Sequence, residues 1–251
     1  MALRALVAGA LHVGVAAMMT QIFVSEAPYC YRIPTMVETP SGTLLAFAEM
    51  RSNNCGDNGG GHNLVMRPSS DGGATWGPVV TVVGNQSNLG PAGVGFTNPS
   101  PSVVLAQDGS YHILFQFATL NNPCPNKHGR TLQQWSTDNG QTWDAAVDIS
   151  DQLLSAYPGA LPGPTAGVQD ANGRLLMCAW GNNATTCNYR DGFAAFLYFS
   201  DNAGASWTAL DPLLTPNTTV NECTLVVGAD DSVLVMLRQV RADVGCVYSC
   251  E

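Results

Sequence analysis

Charge is scarce in this chain. Only 12% of its 251 residues are charged, and ten Lys or Arg stand against nineteen Asp or Glu, for a formal net charge of −9. A nucleic-acid-binding surface needs clustered cations. No basic patch is visible, so that class of partner is excluded. The acidity reads as a soluble surface, the alternative being an acidic functional face. The eight cysteines (Cys30, Cys55, Cys124, Cys178, Cys187, Cys223, Cys246, Cys250) form no Cys-x-x-Cys pair. Zinc-finger spacing is therefore absent, and no metal or other cofactor is expected. No stretch has helical periodicity of useful length, and no linker divides the chain. The apolar run Ala5–Met19 is shorter than the roughly 20 residues of a membrane span. It follows Arg4 and ends near the small residues Val15-Ala16-Ala17. Residues 1–20 are therefore expected to be a secretory signal peptide, with a buried first strand as the alternative. No stable membrane span is expected, and the location implied is secreted or along the secretory and lysosomal route.

Hydrophobic residues (45%), glycine (26) and proline (15) are plentiful. That combination fits an all-β fold of many short strands and turns and argues against disorder. Three segments repeat one pattern. They are Ser69-Ser-Asp71-Gly-Gly73-Ala-Thr75-Trp76, Ser136-Thr-Asp138-Asn-Gly140-Gln-Thr142-Trp143 and Ser200-Asp-Asn202-Ala-Gly204-Ala-Ser206-Trp207, starting 67 and 64 residues apart. Each reads as a folded turn. The Asp or Asn side chain accepts from backbone N–H groups two residues on, and Gly supplies a positive φ. The Trp packs between strands and needs a partner for its N–H. Strands are expected over His62–Arg67, Pro78–Val83, Ser102–Leu105, Tyr111–Phe117, Thr131–Trp135, Arg174–Trp180 and Ala194–Phe199. This rhythm implies propeller blades of four strands each. A Cys178–Cys187 disulfide would close a short loop, although spacing alone does not fix the pairing. Asn85, Asn183 and Asn217 match the N-glycosylation acceptor pattern.

The repeats resemble the Asp-box, or bacterial neuraminidase repeat, a structural element of β-propellers. The stretch Tyr31-Arg-Ile-Pro-Thr-Met-Val-Glu-Thr-Pro-Ser-Gly-Thr-Leu-Leu-Ala-Phe-Ala-Glu-Met-Arg51 resembles the sialidase family more specifically. The resemblance implies a six-bladed all-β propeller over residues 21–251, with about four blades present and the C-terminal part absent.

It also implies a site. Arg32 resembles the first of three arginines that grip the substrate carboxylate, a task that suits a guanidinium fork. Arg51 resembles an additional arginine of the same pocket. Asp57, among the glycines of Cys55-Gly-Asp57-Asn-Gly-Gly-Gly-His62, resembles the acid/base aspartate on its mobile loop. His62 reads as a strand-entry residue. Asn98, in Asn98-Pro-Ser-Pro101, resembles a residue near the acylamino pocket and is a candidate substrate contact. Ser155–Gln169 resembles a Gly-Pro-Gly-x-Gly loop that borders the same pocket. Glu222, in Asn221-Glu222, resembles the glutamate that deprotonates a nucleophilic tyrosine, and Arg238 resembles the second arginine of the triad. The family's third arginine and its tyrosine lie further downstream; neither Arg241 nor Tyr248 matches them. The implied function is an exo-α-sialidase acting with retention on sialylated glycoconjugates, inactive if the fragment lacks its tyrosine. Two alternatives stand beside it. One is a non-catalytic Asp-box propeller that binds glycans or proteins; the other is an enzyme of this fold acting on a related sugar.

Overall fold

The computed structural model describes residues 20–52, 55–57, 61–84, 95–119, 129–182, 193–213, 219–228, 230, 232–240 and 247–250. The expected signal peptide, the three glycosylation acceptors, Cys124, Cys187, Cys246 and Arg241 lie outside these residues, the signal peptide's last residue, Thr20, excepted.

Four antiparallel sheets follow one another along the chain. The first holds β1 (Tyr29–Glu38), β2 (Leu44–Ser52), β3 (His62–Ser69) and β4 (Val80–Val83), in that order. The second holds β5 (Phe96–Leu105), β6 (Tyr111–Thr119), β7 (Thr131–Ser136) and β8 (Val147–Asp148). In the third, the first strand is split into β9 (Leu161–Pro162) and β10 (Val168–Gln169), followed by β11 (Leu175–Asn182), β12 (Phe193–Ser200) and β13 (Thr208–Ala209). The fourth shows three strands among the described residues: β14 (Thr219–Val227), β15 (Val233–Val240) and β16 (Val247–Cys250). Each sheet is an up-and-down meander, as a blade is. The first strands touch in sequence, β1 with β5, β5 with β9 and β10, and β10 with β14. They therefore line a common interior.

Side chains alternate across a strand with period two, and that alternation builds the core. Phe47, Phe96, Ile113, Phe115, Phe117 and Met66 fill the space between the first two sheets, with Phe47 and Phe115 stacked at 5.0 Å. Leu114 points the other way and joins Val104, Leu175, Met177, Phe196, Tyr198 and Trp207 between the second and third. Leu176 and Cys178 alternate with Leu175 and Met177 and pack with Cys223, Leu225, Val235 and Leu237 between the third and fourth. Central strands are thus buried on both faces, which is why Tyr111–Phe117 reads as a nearly continuous apolar run.

The three repeated turns connect β3 to β4, β7 to β8 and β12 to β13. Their hydrogen bonding differs from expectation. The N–H two residues after Asp71 belongs to Gly73 and goes to the Ser69 hydroxyl at 2.9 Å. Asp71 Oδ1 instead accepts from Thr75 N, four residues on, at 2.9 Å, and Oδ2 from the Thr75 hydroxyl at 2.6 Å. Asp138 with Thr142, and Asn202 with Ser206 N, repeat the arrangement. The two-residue pattern appears instead in the shorter hairpins, at Asp108, Asp170 and Asp230.

The disulfide expectation also needs correcting. Cys178 pairs with Cys223, Cα to Cα 6.1 Å, and not with Cys187. Cys178 faces the fourth sheet, where Cys223 lies opposite, so packing between sheets chose the partner. A second disulfide joins Cys30 to Cys55.

Candidate active site

In a meander the β2–β3 loop and the β3–β4 turn lie at opposite ends of the sheet. The end bearing Asp57 is therefore opposite the end bearing the repeats. Register places every candidate residue at the Asp57 end. Cys30 is opposite Arg51 and Arg32 opposite Glu49; Thr97 is opposite Ala118; Asn221 is opposite Arg238. The first strands carry one extra residue at this end in sheets one, two and four, between Arg32 and Thr35, Thr97 and Ser100, and Asn221 and Cys223. Such bulges bend a strand and re-aim a side chain.

On β2 the inward face runs Leu45, Phe47, Glu49, Arg51, changing from hydrocarbon to charge at the site end. All four are buried, Glu49 completely and Arg51 to within 2%. Glu49 Oε2 accepts from Arg51 Nε at 2.8 Å and Nη2 at 2.5 Å. Its Oε1 accepts from the Thr97 hydroxyl at 2.5 Å and from Asn98 N at 3.1 Å. One carboxylate therefore ties the first sheet to the second beneath the site. Glu49 lies within the family-like stretch Tyr31–Arg51, but nothing in its local sequence marks this role.

Arg51 spends its remaining nitrogen upward. Nη1 donates to the Cys55 carbonyl and to Asp57 Oδ1, both at 2.8 Å. Arg32 is more open, 43% exposed at its side chain; its Nη1 donates to the same Cys55 carbonyl at 3.1 Å and lies 3.6 Å from Asp57 Oδ1. The Arg51 hydrogen bond holds the Asp57 carboxyl below the usual carboxylate range, reinforced by the charges of Arg51 and Arg32. His62 opens β3 and is buried, which pushes its pKa down; Nδ1 is 3.9 Å from Glu49 Oε2. Asn98 is also buried, with φ +57 and a side-chain Nδ2 that has no hydrogen-bond partner among the described residues. Arg32, Arg51, Asp57 and Asn98 thus form one group around Glu49. Arg32 is its exposed cation, while Arg51 is committed to orienting Asp57.

Glu222 and Arg238 form a second group on the fourth sheet, joined by an ion pair from Arg238 Nη1 to Glu222 Oε2. Cys223 N donates to the Gly163 carbonyl at 3.2 Å, which brings the Ser155–Gln169 loop beside Glu222. Among the described residues no hydrogen bond or ion pair joins the two groups. A cavity of about 520 Å³ lined by Ile22, Phe23, Tyr31, Arg32, Met36 and Phe47 is mostly apolar, with Arg32 the one charged residue of its lining.

Comparison with known proteins agrees with this architecture. The chain is 30% identical over 183 residues to an exo-alpha-sialidase of Arthroderma benhamiae, and 28% identical over 183 residues to an exo-alpha-sialidase of Aspergillus fumigatus. Each alignment covers 62% of this chain and 42% of the relative, so the chain spans less than half the length of these curated relatives. The fold superposes on Hadza microbial sialidase Hz136 with a TM-score of 0.73 at 20% identity, covering 88% of this chain and 44% of that one. The four sheets are therefore blades of a sialidase-type β-propeller. The model of the BNR repeat-like domain matches residues 42–251, and the chain belongs to this sialidase-type BNR repeat family.

Proposed function

We propose that this chain carries the carboxylate-gripping and acid/base elements of an exo-acting α-sialidase, over a domain at residues 21–251 that follows a secretory signal. The observation that supports it best is the meeting of Arg32 and Arg51 at the Cys55 carbonyl, with Asp57 held by Arg51 beside them, at the same sheet end as Glu222 and Arg238. Arg32 takes the carboxylate of a terminal sialic acid in fork geometry. Asp57 gives a proton to the leaving glycosidic oxygen and later takes one from water. Without substrate Asp57 is ionised at neutral pH. An anionic sugar on Arg32 adds negative charge beside it and raises its pKa toward the donating range. Glu222 draws the proton from a tyrosine nucleophile supplied by sequence outside this chain, and two displacements at one carbon retain its configuration. The substrates are sialylated glycoconjugates, and the two disulfides among the described residues fit a secreted protein.

The test has two arms on the purified chain: turnover of a 4-methylumbelliferyl sialoside, and calorimetric binding of 2-deoxy-2,3-didehydro-N-acetylneuraminic acid. Binding should weaken at least about tenfold in Arg32→Ala, the loss of a charge-assisted hydrogen bond. Absence of binding by the wild type sinks the reading. A second reading is a non-catalytic glycan-binding propeller. It is favoured by the engagement of Glu222 by Arg238, with no tyrosine hydroxyl on it among the described residues. It predicts binding with no turnover, even when the downstream sequence is restored.

A further inference from the structure

Both disulfides among the described residues lie within two residues of a proposed catalytic carboxylate, but their settings differ. Cys178 and Cys223 are buried between the third and fourth sheets. Cys30 is half-buried and Cys55 exposed at the site itself. The Cys55 carbonyl is the shared acceptor for Arg51 Nη1 at 2.8 Å and Arg32 Nη1 at 3.1 Å, and Asp57 follows two residues later. Cys30 sits opposite Arg51 in the β1–β2 ladder, so the bond pins the Asp57 segment directly over both guanidinium groups. Its other anchors among the described residues are the arginine contacts above and the interaction of His62 with the Gly56 backbone. Asp57 is 73% exposed at its side chain, and ion pairs to exposed carboxylates anchor weakly. Ser52 adds a hydrogen bond to the Gly61 carbonyl at the far end of the loop.

We infer that the Cys30–Cys55 disulfide is a positioning element for Asp57, so that competence of the site depends on the oxidised state of this one bond. The inference rests on the reading of Asp57 above. A dithiol reductant opens the bond by thiol–disulfide exchange. Two electrons and two protons pass to the cysteines, giving two thiols, and the reductant leaves as its own disulfide. Exposure of Cys55 makes this the accessible bond, whereas burial protects Cys178–Cys223. Once it opens, the Cys55 carbonyl leaves the arginines and Asp57 loses its fixed partner.

The experiment compares the wild type with Cys30→Ser/Cys55→Ser and with Cys178→Ser/Cys223→Ser. The readouts are the carboxyl carbon-13 titration of Asp57 and amide exchange at Cys55, Gly56 and Asp57. In the first variant Asp57 should titrate at an ordinary carboxylate value and these amides should exchange at least about tenfold faster; in the second neither should change. Should the first variant fail to fold, brief dithiothreitol treatment of the native chain, with alkylation confined to Cys30 and Cys55, gives the same comparison. Unchanged titration and exchange on opening Cys30–Cys55 overturns the inference, as does an equal change in the second variant. Loss of sialic-acid binding by the wild type would count against the proposed function alone, since neither readout uses a sugar.

Discussion

Glutamine at position 49 keeps the shape of the side chain and removes its charge, in a place where both consequences can be worked out. Glu49 is fully buried and Arg51 is 2% exposed at its side chain. Four donors converge on the carboxylate: Arg51 Nε and Nη2 on one oxygen, the Thr97 hydroxyl and Asn98 N on the other. Glutamine has one acceptor oxygen. Its amide NH₂ must face either the guanidinium fork or the Thr97–Asn98 pair, so two donors lose their acceptor in either orientation. Arg51 also loses its buried counter-charge. Breaking one side of a buried pair costs about 3–5 kcal/mol. Arg51 keeps the Cys55 carbonyl and Asp57, which places the expected loss for Glu49→Gln near the lower bound. That is a large share of the 5–15 kcal/mol typical of a domain, yet compatible with folding. Urea unfolding followed by fluorescence of the five tryptophans measures it. The double variant Glu49→Leu/Arg51→Met should recover most of the loss, because no orphaned charge remains. A cost below about 1 kcal/mol for Glu49→Gln, or a double variant no better than the sum of the singles, would refute the assignment of Glu49 as the tie between sheets.

Two further outcomes follow from buried and repeated polar groups. Tyr198 is fully buried and donates to Gln116 Oε1 at 2.5 Å, while Gln116 in turn donates to Gln133 Oε1 at 3.2 Å. Tyr198→Phe should cost about 1–3 kcal/mol, with the urea midpoint lowered and the slope unchanged; a neutral result would mean that this network adds nothing to the packing around it. Asp71 is held down to about 2, first by the Thr75 hydroxyl and then by Thr75 N and the Ser69 hydroxyl. Its folded-state value lies below its ordinary 3.8, so its contribution is complete above about pH 4 and lost as pH falls through about 2. Asp71→Asn should therefore flatten the loss of stability between pH 5 and pH 2.5; an unaltered acid limb would show that the repeat aspartate is not a linked group.

The blades were readable in the sequence because their signals are local. Ser69, Asp71, Gly73, Thr75 and Trp76 fall within one turn, and the strand before it holds the apolar run Leu64-Val65-Met66. The details that the sequence did not reveal were those decided between sheets. Trp207 N–H does not go to its own turn, as Trp76 and Trp143 do, but to Gln133 Oε1 of the second sheet at 2.8 Å. Cys178 chose Cys223 because the two strands pack face to face, which spacing along the chain does not reveal. Glu49 is the strongest case. Beside Arg51 it reads as the end of an exposed strand until Thr97 and Asn98, nearly fifty residues on, are seen to donate to it. Arg32 and Asp57 were placed by family resemblance, and they lie 3.6 Å apart beside a disulfide, Cys30–Cys55, whose pairing spacing left open.

The site end of the molecule is where regular backbone gives way, and three sheets give way alike. Ile33 has φ +52, Asn98 φ +57 and Gly163 φ +52, and each precedes a proline, Pro34, Pro99 and Pro164. Left-handed backbone suits Gly and is tolerated by Asn, but it is a genuine outlier for a β-branched residue, and a following proline restricts it further. Ile33 therefore carries strain of about 1–3 kcal/mol, which persists only where the surroundings over-determine it. They do so here. Thr35 to Glu38 are locked in register with Phe47 to Leu44 on one side of the bulge, and Arg32 is held opposite Glu49 on the other. The extra residue between them changes which way β1 presents Arg32. In a regular strand the alternation that buries Leu45, Phe47, Glu49 and Arg51 would fix the side-chain direction along the whole of β1. Placing a cation in the interior, and not between sheets, requires that alternation to be broken at this height. The same break in β5 leaves Asn98 with an unpartnered Nδ2, and in β14 it sets Glu222 beside Arg238. The pattern makes a break in the regular alternation of the first strands a condition of having polar groups converge there at all.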